Sequence, residues 1–360
     1  MVVGALLIPC FVLLKPLPGG IAISLTSFKS AAGLSVAIIL LGMLTHIPWI
    51  GVICLFIVAQ WWVFGLARWA IVFLLFLMGW MGWLLACQRV GEKAARLVQW
   101  AFLWAAVVQV VFMLMQLHQI DPIIIPIEAS GKLQMNMPQP VVGLFANPSD
   151  VGIFLALILP MALTINHTLD ATFSFLIGLG IALSRSSAAL GAALIIIGLW
   201  FVHLIWSGKL SWRWFLGTIP IVGGLWFWFT KIDPLSHSLM RLNIWGAGLR
   251  VWKISPWIGL GPGAMGSKWK FLHRGSAWTM FHNEYLETLF NGGIIGLALV
   301  AMLILWTARR CWSHEIQPVL WMGLLAVAVT ATVSIPFHIM PTAIVAAWYL
   351  GQTWRRDETI

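Results

Sequence analysis

The chain has 360 residues, of which 61% are hydrophobic and only 9% are charged. Soluble proteins are closer to half apolar and a quarter charged, so this composition excludes a water-soluble enzyme. Apolar runs cover the whole chain, which also excludes a disordered or disulfide-based protein and indicates a single membrane domain, residues 1–360. The formal net charge is +10, and the positions of the cations therefore need an explanation.

The apolar runs are continuous rather than alternating, which favours membrane-spanning helices over a closed barrel. The run at 2–14 is short and contains Pro9, but it lacks the basic start of a signal peptide, so we expect a membrane anchor. The fold class is therefore an all-α polytopic membrane protein with about 12 transmembrane helices. The predicted spans are 2–14, 31–47, 48–66, 69–87, 97–117, 150–166, 171–184, 187–206, 213–230, 290–308, 317–335 and 339–353.

The short loops predict the orientation, because cytoplasmic loops are enriched in Lys and Arg. With the N-terminus inside, the inner loops and the C-terminal tail hold nine cations, and the short outer segments hold five. The inner cations are Arg89, Lys93, Arg96, Lys209, Arg213, Arg309, Arg310, Arg355 and Arg356. Two outer segments are then long enough to hold a site: 118–149, and 231–289 between the ninth and tenth spans.

The loop at 231–289 carries seven further cations, although orientation does not require them there. We interpret this excess as an outer binding site for an anionic ligand. The alternative is a loop that contacts lipid headgroups.

Two arginines are the candidate anion ligands. Arg185 lies between two apolar spans that are joined by almost no loop, and an arginine at membrane depth is usually paired or functional. Arg241 lies on a helix predicted from about Asp233 to Ser255. It shares one face of this helix, the tryptophan face, with Trp245, Gly248 and Trp252. We expect this tryptophan face to lie on the membrane. The alternatives are snorkelling for Arg185 and a purely interfacial amphipathic helix for Arg241.

Other residues around these arginines receive weaker predictions. Arg250 is nine residues from Arg241, so on a straight helix the two cannot share one pocket. Gly261 and Gly263 belong to a formal GxGxxG motif that has no strand around it, which excludes a Rossmann site. A turn fits better, either to bring amides to an anion or to reverse the chain. Asn147 is a candidate helix cap with a possible secondary role in anion contact.

His282 is the candidate general base. It lies at the predicted outer surface beside the basic loop, and an ordinary histidine titrates near neutrality. On a helix it shares a face with Tyr285, whereas Glu284 and Glu287 point elsewhere. The alternative is a hydrogen-bonding histidine at the interface. His338 is a second outer-edge histidine with weaker support.

Several segments together resemble the O-antigen ligase and polymerase superfamily of bacterial envelope glycan assembly. The resemblance covers about residues 140–300, and the large outer loop between the ninth and tenth spans matches the usual GT-C-like layout. The chain departs from the family at Ser186, where a glycine is frequent. The matching runs are GLFANP at 143–148, SRSS at 184–187, RLNIW at 241–245, GLGPG at 259–263, HNEYL at 282–286 and NGGIIG at 291–296.

The resemblance implies transfer of a glycan from undecaprenyl pyrophosphate to a lipid A core hydroxyl, at the periplasmic face of the bacterial inner membrane. It implies that Arg185 and Arg241 bind the pyrophosphate and that His282 acts on the acceptor hydroxyl, with inversion at the anomeric carbon. Supporting roles fall to Arg250, Asn283, Gly261, Gly263, Asn147 and His338. The partners are then the lipid-linked donor, the glycan or lipid A core acceptor and membrane lipids, and no nucleic acid.

No DxD motif is present, so we predict no metal ion and no cofactor, with the arginines carrying the charge instead. A polymerase of O-antigen or exopolysaccharide and a protein O-oligosaccharyltransferase share the same residues and remain alternatives. An anion transporter is a more distant one. Transporters place ionisable groups near mid-membrane, whereas here they cluster at the predicted outer surface, which favours an enzyme.

Overall fold

The computed structural model describes residues 15–17, 20–22, 83–84, 86–118, 120, 141–145, 147–165, 169–208, 223, 234–261, 281–313, 317–337 and 339–355. Long helices make up most of this part of the chain. They are α1 (Glu92–Leu117), α2 (Pro148–Thr164), α3 (Asp170–Ser184), α4 (Ser187–Trp206), α5 (Pro234–Trp252), α6 (Glu284–Ser313), α7 (Pro318–Val333) and α8 (Met340–Thr353). A short antiparallel hairpin, β1 (Lys15–Leu17) with β2 (Gly20–Ala22), was not predicted.

Seven predicted spans coincide with helices of this part, namely α1 to α4 and α6 to α8. Three helices are long and apolar enough to cross a membrane, α1, α4 and α6, while α2, α3 and α7 are apolar but shorter. The protein is therefore a helical, multi-pass membrane protein. The predicted spans at 2–14, 31–47, 48–66 and nearly all of 69–87 and 213–230 lie outside the described residues.

Helix α2 is the centre of the bundle. Every residue from Val151 to Leu163 is buried, because the helix is apolar on all faces and packs against α1, α3, α4, α7 and α8. Pro160 cannot donate to the carbonyl of Ala156. The neighbouring Leu157 carbonyl accepts a hydrogen bond from the buried Tyr349 hydroxyl, at 2.7 Å. This bond ties α8 to the middle of α2.

Contacts between helix ends define the two ends of the bundle. At one end the start of α1 meets the chain after α8, because Glu92 and Arg355 are 3.8 Å apart, and Arg310 at the end of α6 donates to the Thr353 carbonyl at 2.9 Å. At the other end lie the starts of α2, α4, α6 and α8 and the ends of α1, α3 and α7. Contacts join these ends: Asn283 donates to the Thr332 carbonyl near the end of α7, Gln116 donates to the Gly143 carbonyl before α2, and Gly152 of α2 lies against Ser184. Arg185 and His282 both lie at this second end.

Helix α6 is broken at Gly293, whose backbone has φ 64° and ψ −164°. In a continuous helix the N–H groups of Ile294 and Ile295 would donate to the carbonyls of Phe290 and Asn291. Residues 256–261, which follow α5, bind all four groups. The four bonds are Ile294 N–H to Pro256 O at 2.9 Å, Ile295 N–H to Trp257 O at 3.1 Å, Leu260 N–H to Phe290 O at 2.9 Å and Gly261 N–H to Asn291 O at 3.0 Å.

This exchange requires glycine on both segments, at position 259 of the loop and at position 293 of α6. A Cβ on Gly293 would overlap the backbone of Trp257, and a Cβ on Gly259 would overlap the backbone of Asn291. Both glycines also have a positive φ, which L side chains rarely adopt. Gly259 and Gly293 therefore determine where the loop after α5 crosses α6.

We predict that Gly293→Ala destabilises the folded protein, because the methyl group has no space and the backbone conformation is unfavourable. The apparent melting temperature of the detergent-purified protein should fall by about 5 °C or more. Gly191→Ala in α4 is the control, since nothing lies within 4 Å of a Cβ built there. Equal melting temperatures for Gly293→Ala and Gly191→Ala would contradict the proposed crossing.

Candidate functional site

His282 lies in a tight turn immediately before α6 and is half-buried. Its φ is 53°, in the left-handed region. For a residue with a Cβ this conformation costs on the order of 1–2 kcal/mol, so the surrounding structure must hold it in place. The residues on both sides of His282 show how it does so.

Phe281 is held on three sides. Its N–H donates to Glu287 Oε2 at 3.0 Å, and its carbonyl accepts from the Trp245 indole Nε1 at 2.9 Å. Its ring packs against Phe290, with ring centroids 4.9 Å apart. The ring also occupies the space that a side chain would need at Gly248 of α5. These contacts fix the chain directly before His282.

Asn283 fixes the chain directly after His282. Its Oδ1 accepts from Leu286 N–H at 2.9 Å, which makes it the N-cap of α6, and its Nδ2 donates to the Thr332 carbonyl of α7 at 2.8 Å. Two more bonds join the same turn of α6 to α7 and to the segment after it: Tyr285 Oη to Ala328 O at 3.2 Å, and Phe337 N–H to Glu284 Oε1 at 2.8 Å. The His282 turn is thus anchored to α5, α6 and α7 together.

Arg185 ends α3 in a conformation of the same kind, with φ 53° and ψ 21°. Its N–H donates to the Ala182 carbonyl at 3.2 Å, and its side chain is exposed. Ser186 then caps α4, because its Oγ accepts from Ala189 N–H at 3.3 Å. The serine that departs from the family pattern therefore has a structural role here.

The turn at residues 184–186, here called the Arg185 corner, is packed against the first turns of α2. A Cβ on Gly152 would overlap the Ser184 hydroxyl, so the corner can approach α2 only at a glycine. Asn147, the secondary candidate, accepts from Ser149 N–H at 2.8 Å and is the N-cap of α2. Its amide oxygen therefore serves the helix, as the simpler of the two predictions for it proposed.

Arg241 is half-buried on α5, one turn before Trp245. Burial lowers the pKa of its guanidinium below the ordinary value. The prediction that the tryptophan face lies on the membrane is wrong. Trp245, Gly248 and Trp252 face the start of α6. They form one wall of a narrow apolar cleft, and Phe281 and Phe290 form the opposite wall. Arg250 is exposed.

The remaining candidates divide into two groups. Gly261 is buried, and its N–H donates to Asn291, so in this structure that amide serves the crossing rather than an anion. Gly263 and His338 lie outside the described residues. Within the described ranges no three His, Cys, Asp or Glu side chains are grouped closely enough to hold a metal ion.

The sequence reasoning missed the roles of Glu284 and Glu287. Both point into the protein, where they are only 7% and 5% exposed, and both accept hydrogen bonds from backbone N–H groups. The available signal was two carboxylates in the first turns of a helix that is otherwise apolar. Buried carboxylates of this kind need donors, and the nearby turns provide them.

The fold and this site define a helical membrane protein with two left-handed turns at one end of its bundle. One turn carries the positively charged Arg185, and the other carries His282. Residues 172–301 match the family model described as O-antigen ligase. The match confirms, over that segment, the resemblance to the O-antigen ligase and polymerase superfamily, whose members are glycan-processing enzymes. The segment contains Arg185, Arg241 and His282. No curated protein matches the chain.

We predict that Asn283→Ala lowers the stability of the protein by about 1–2 kcal/mol, because α6 loses its cap and the Thr332 carbonyl loses a donor. Asn283→Asp keeps the acceptor for Leu286 N–H and should lose less. The melting temperatures of the two variants and of the wild type check this order. An Asn283→Ala protein as stable as the wild type would show that the turn is held by other contacts.

Proposed function

We propose that the protein transfers a glycan from undecaprenyl pyrophosphate to a hydroxyl of the lipid A core, at the periplasmic face of the bacterial inner membrane. One observation carries the proposal. Arg185 and His282 are the two non-glycine residues with positive φ in the described part of the chain, and both fall within the matched segment 172–301. Backbone strain of this kind is concentrated at functional sites.

In this reaction the acceptor oxygen attacks the anomeric carbon while the bond from that carbon to the pyrophosphate oxygen breaks. The pyrophosphate leaves with the bonding electron pair and remains attached to the polyprenyl chain. Attack in line with the leaving group inverts the anomeric centre. His282, with a neutral imidazole, accepts the proton of the acceptor hydroxyl. Its turn is anchored on both sides, so the imidazole needs little reorganisation when the acceptor arrives.

The arginines balance the charge that develops on the pyrophosphate as the bond breaks. A guanidinium fork can bind two phosphate oxygens at once, which suits it to this task better than an ammonium group. The side chain of Arg185 is exposed at the end of α3, and that of Arg241 is half-buried on α5. With two such groups on the leaving pyrophosphate, the proposal requires no metal ion.

The structure supports a short distance between Arg241 and the His282 turn. Arg241 and Trp245 are one helical turn apart on the same face of α5, so their Cβ atoms are about 6 Å apart. The Trp245 indole donates to the carbonyl of Phe281, the residue before His282. A pyrophosphate on Arg241 would thus lie near the base that acts on the acceptor.

We predict that Arg185→Ala, Arg241→Ala and His282→Ala each reduce glycan transfer by on the order of 100-fold or more, while membrane insertion is unchanged. Transfer is measured with purified protein and a lipid-linked glycan donor, and insertion by the amount of protein in the membrane fraction. Arg309→Ala is the matched control, because Arg309 is an exposed arginine at the opposite end of the bundle. Near wild-type transfer by His282→Ala would contradict the mechanism.

A further inference from the structure

We propose that Glu287 is a positioning residue for His282, whose carboxylate holds the left-handed turn and takes no part in proton transfer. The inference rests on the proposed function, because it assigns a further residue to the same reaction. Glu287 is 5% exposed and lies on the first turns of α6. A carboxylate in such a place needs hydrogen-bond donors from the protein, and both of its oxygens have one.

One of the two bonds of Glu287 lies within α6, and the other reaches a residue outside the helix. Oε2 accepts from Phe281 N–H at 3.0 Å, reaching back past the N-cap to the residue before His282. Oε1 accepts from Asn291 Nδ2 at 3.2 Å, one turn further along α6. The N-cap role itself belongs to Asn283, so the bond to Phe281 is additional to the capping of the helix.

Removing this carboxylate would leave the Phe281 N–H buried without its acceptor, which is unfavourable. The left-handed backbone of His282 is itself unfavourable, so the turn would relax once the restraint is lost. Relaxation at this position moves the imidazole, and a displacement of about 1 Å from a productive geometry can cost on the order of 100-fold in rate.

Glu287 also connects the His282 turn to the break in α6. Asn291, which donates to Glu287, accepts from Gly261 N–H through its own carbonyl at 3.0 Å. Glu284, the other buried carboxylate, instead accepts from Phe337 N–H on the opposite side of the turn. Of these two carboxylates, Glu287 is thus the one bound to the residue directly before His282.

The test compares Glu287→Ala, Glu287→Gln and Thr288→Ala in the full-length, purified protein. Glutamine keeps an oxygen that can accept from Phe281 N–H, and the Asn291 amide can rotate to match its NH₂ group. Thr288 is the control, since its hydroxyl donates to the Glu284 carbonyl of its own helix at 2.7 Å. We expect Glu287→Ala to lower kcat by on the order of 100-fold with little change in KM. Glu287→Gln and Thr288→Ala should stay near the wild-type values.

Hydrogen exchange of the Phe281 amide provides a readout that does not depend on activity. Exchange should be slow in the wild type and in Glu287→Gln, and fast in Glu287→Ala. A Glu287→Ala protein with wild-type turnover would overturn the inference. So would a slow Glu287→Gln protein with unchanged Phe281 exchange, because the charge itself would then be needed. If Glu287→Ala does not fold, Glu287→Asp takes its place, because its side chain is one methylene too short to keep the 3.0 Å bond to Phe281 N–H. Slow turnover with fast Phe281 exchange is then the expected result, and wild-type turnover would overturn the inference.

The same experiment separates the inference from the proposed function. A wild-type protein that transfers no glycan would contradict the proposed function, whatever the variants do. Phe281 exchange would then still decide whether Glu287 holds the turn: unchanged exchange in Glu287→Ala would overturn that part as well.

Discussion

The exchange of backbone hydrogen bonds at the break in α6 is the constraint on which the candidate site depends. In an apolar environment each unsatisfied backbone group costs several kcal/mol, so a break within a helix long enough to cross a membrane needs partners for its free groups. Residues 256–261 bind all four of them, and only glycine fits at the crossing of 259 and 293. The crossing fixes the end of α5 against α6, and with it the position of the tryptophan face.

From that crossing the contacts lead directly to His282. Because α5 is held against α6, Trp245 can donate to Phe281 and the Phe281 ring can occupy the space beside Gly248. Glu287 and Asn283 then hold the two residues that flank His282. Strain at one backbone position is thus balanced by bonds from three helices. Arg185 shows the same arrangement on a smaller scale, where capping at Ser186 and close packing at Gly152 surround a left-handed residue.

The sequence predicted the helices well, because their apolar runs and end signals are local. Seven spans and the helix at 234–252 correspond to helices in the described part, and Asn147, one of the candidate caps, is the N-cap of α2. The candidate site residues were proposed from the sequence, where a charged group is conspicuous in so apolar a chain, and their functional roles stay predictions. The surface that covers the tryptophan face was not predictable. A period of 3.6 residues shows that one face is apolar, but it does not show whether protein or lipid covers it.

The backbone exchange and the role of Glu287 were not predictable for a related reason. Both join residues on different segments, and GLGPG or NGG alone shows only that the chain can turn there.

The most direct test of the proposed ligase activity is the state of the glycan in cells that lack the gene. We expect full-length glycan to accumulate on undecaprenyl pyrophosphate, and the wild-type gene, but not the His282→Ala form, to restore its transfer. Accumulation of single repeat units would contradict a ligase and indicate a polymerase.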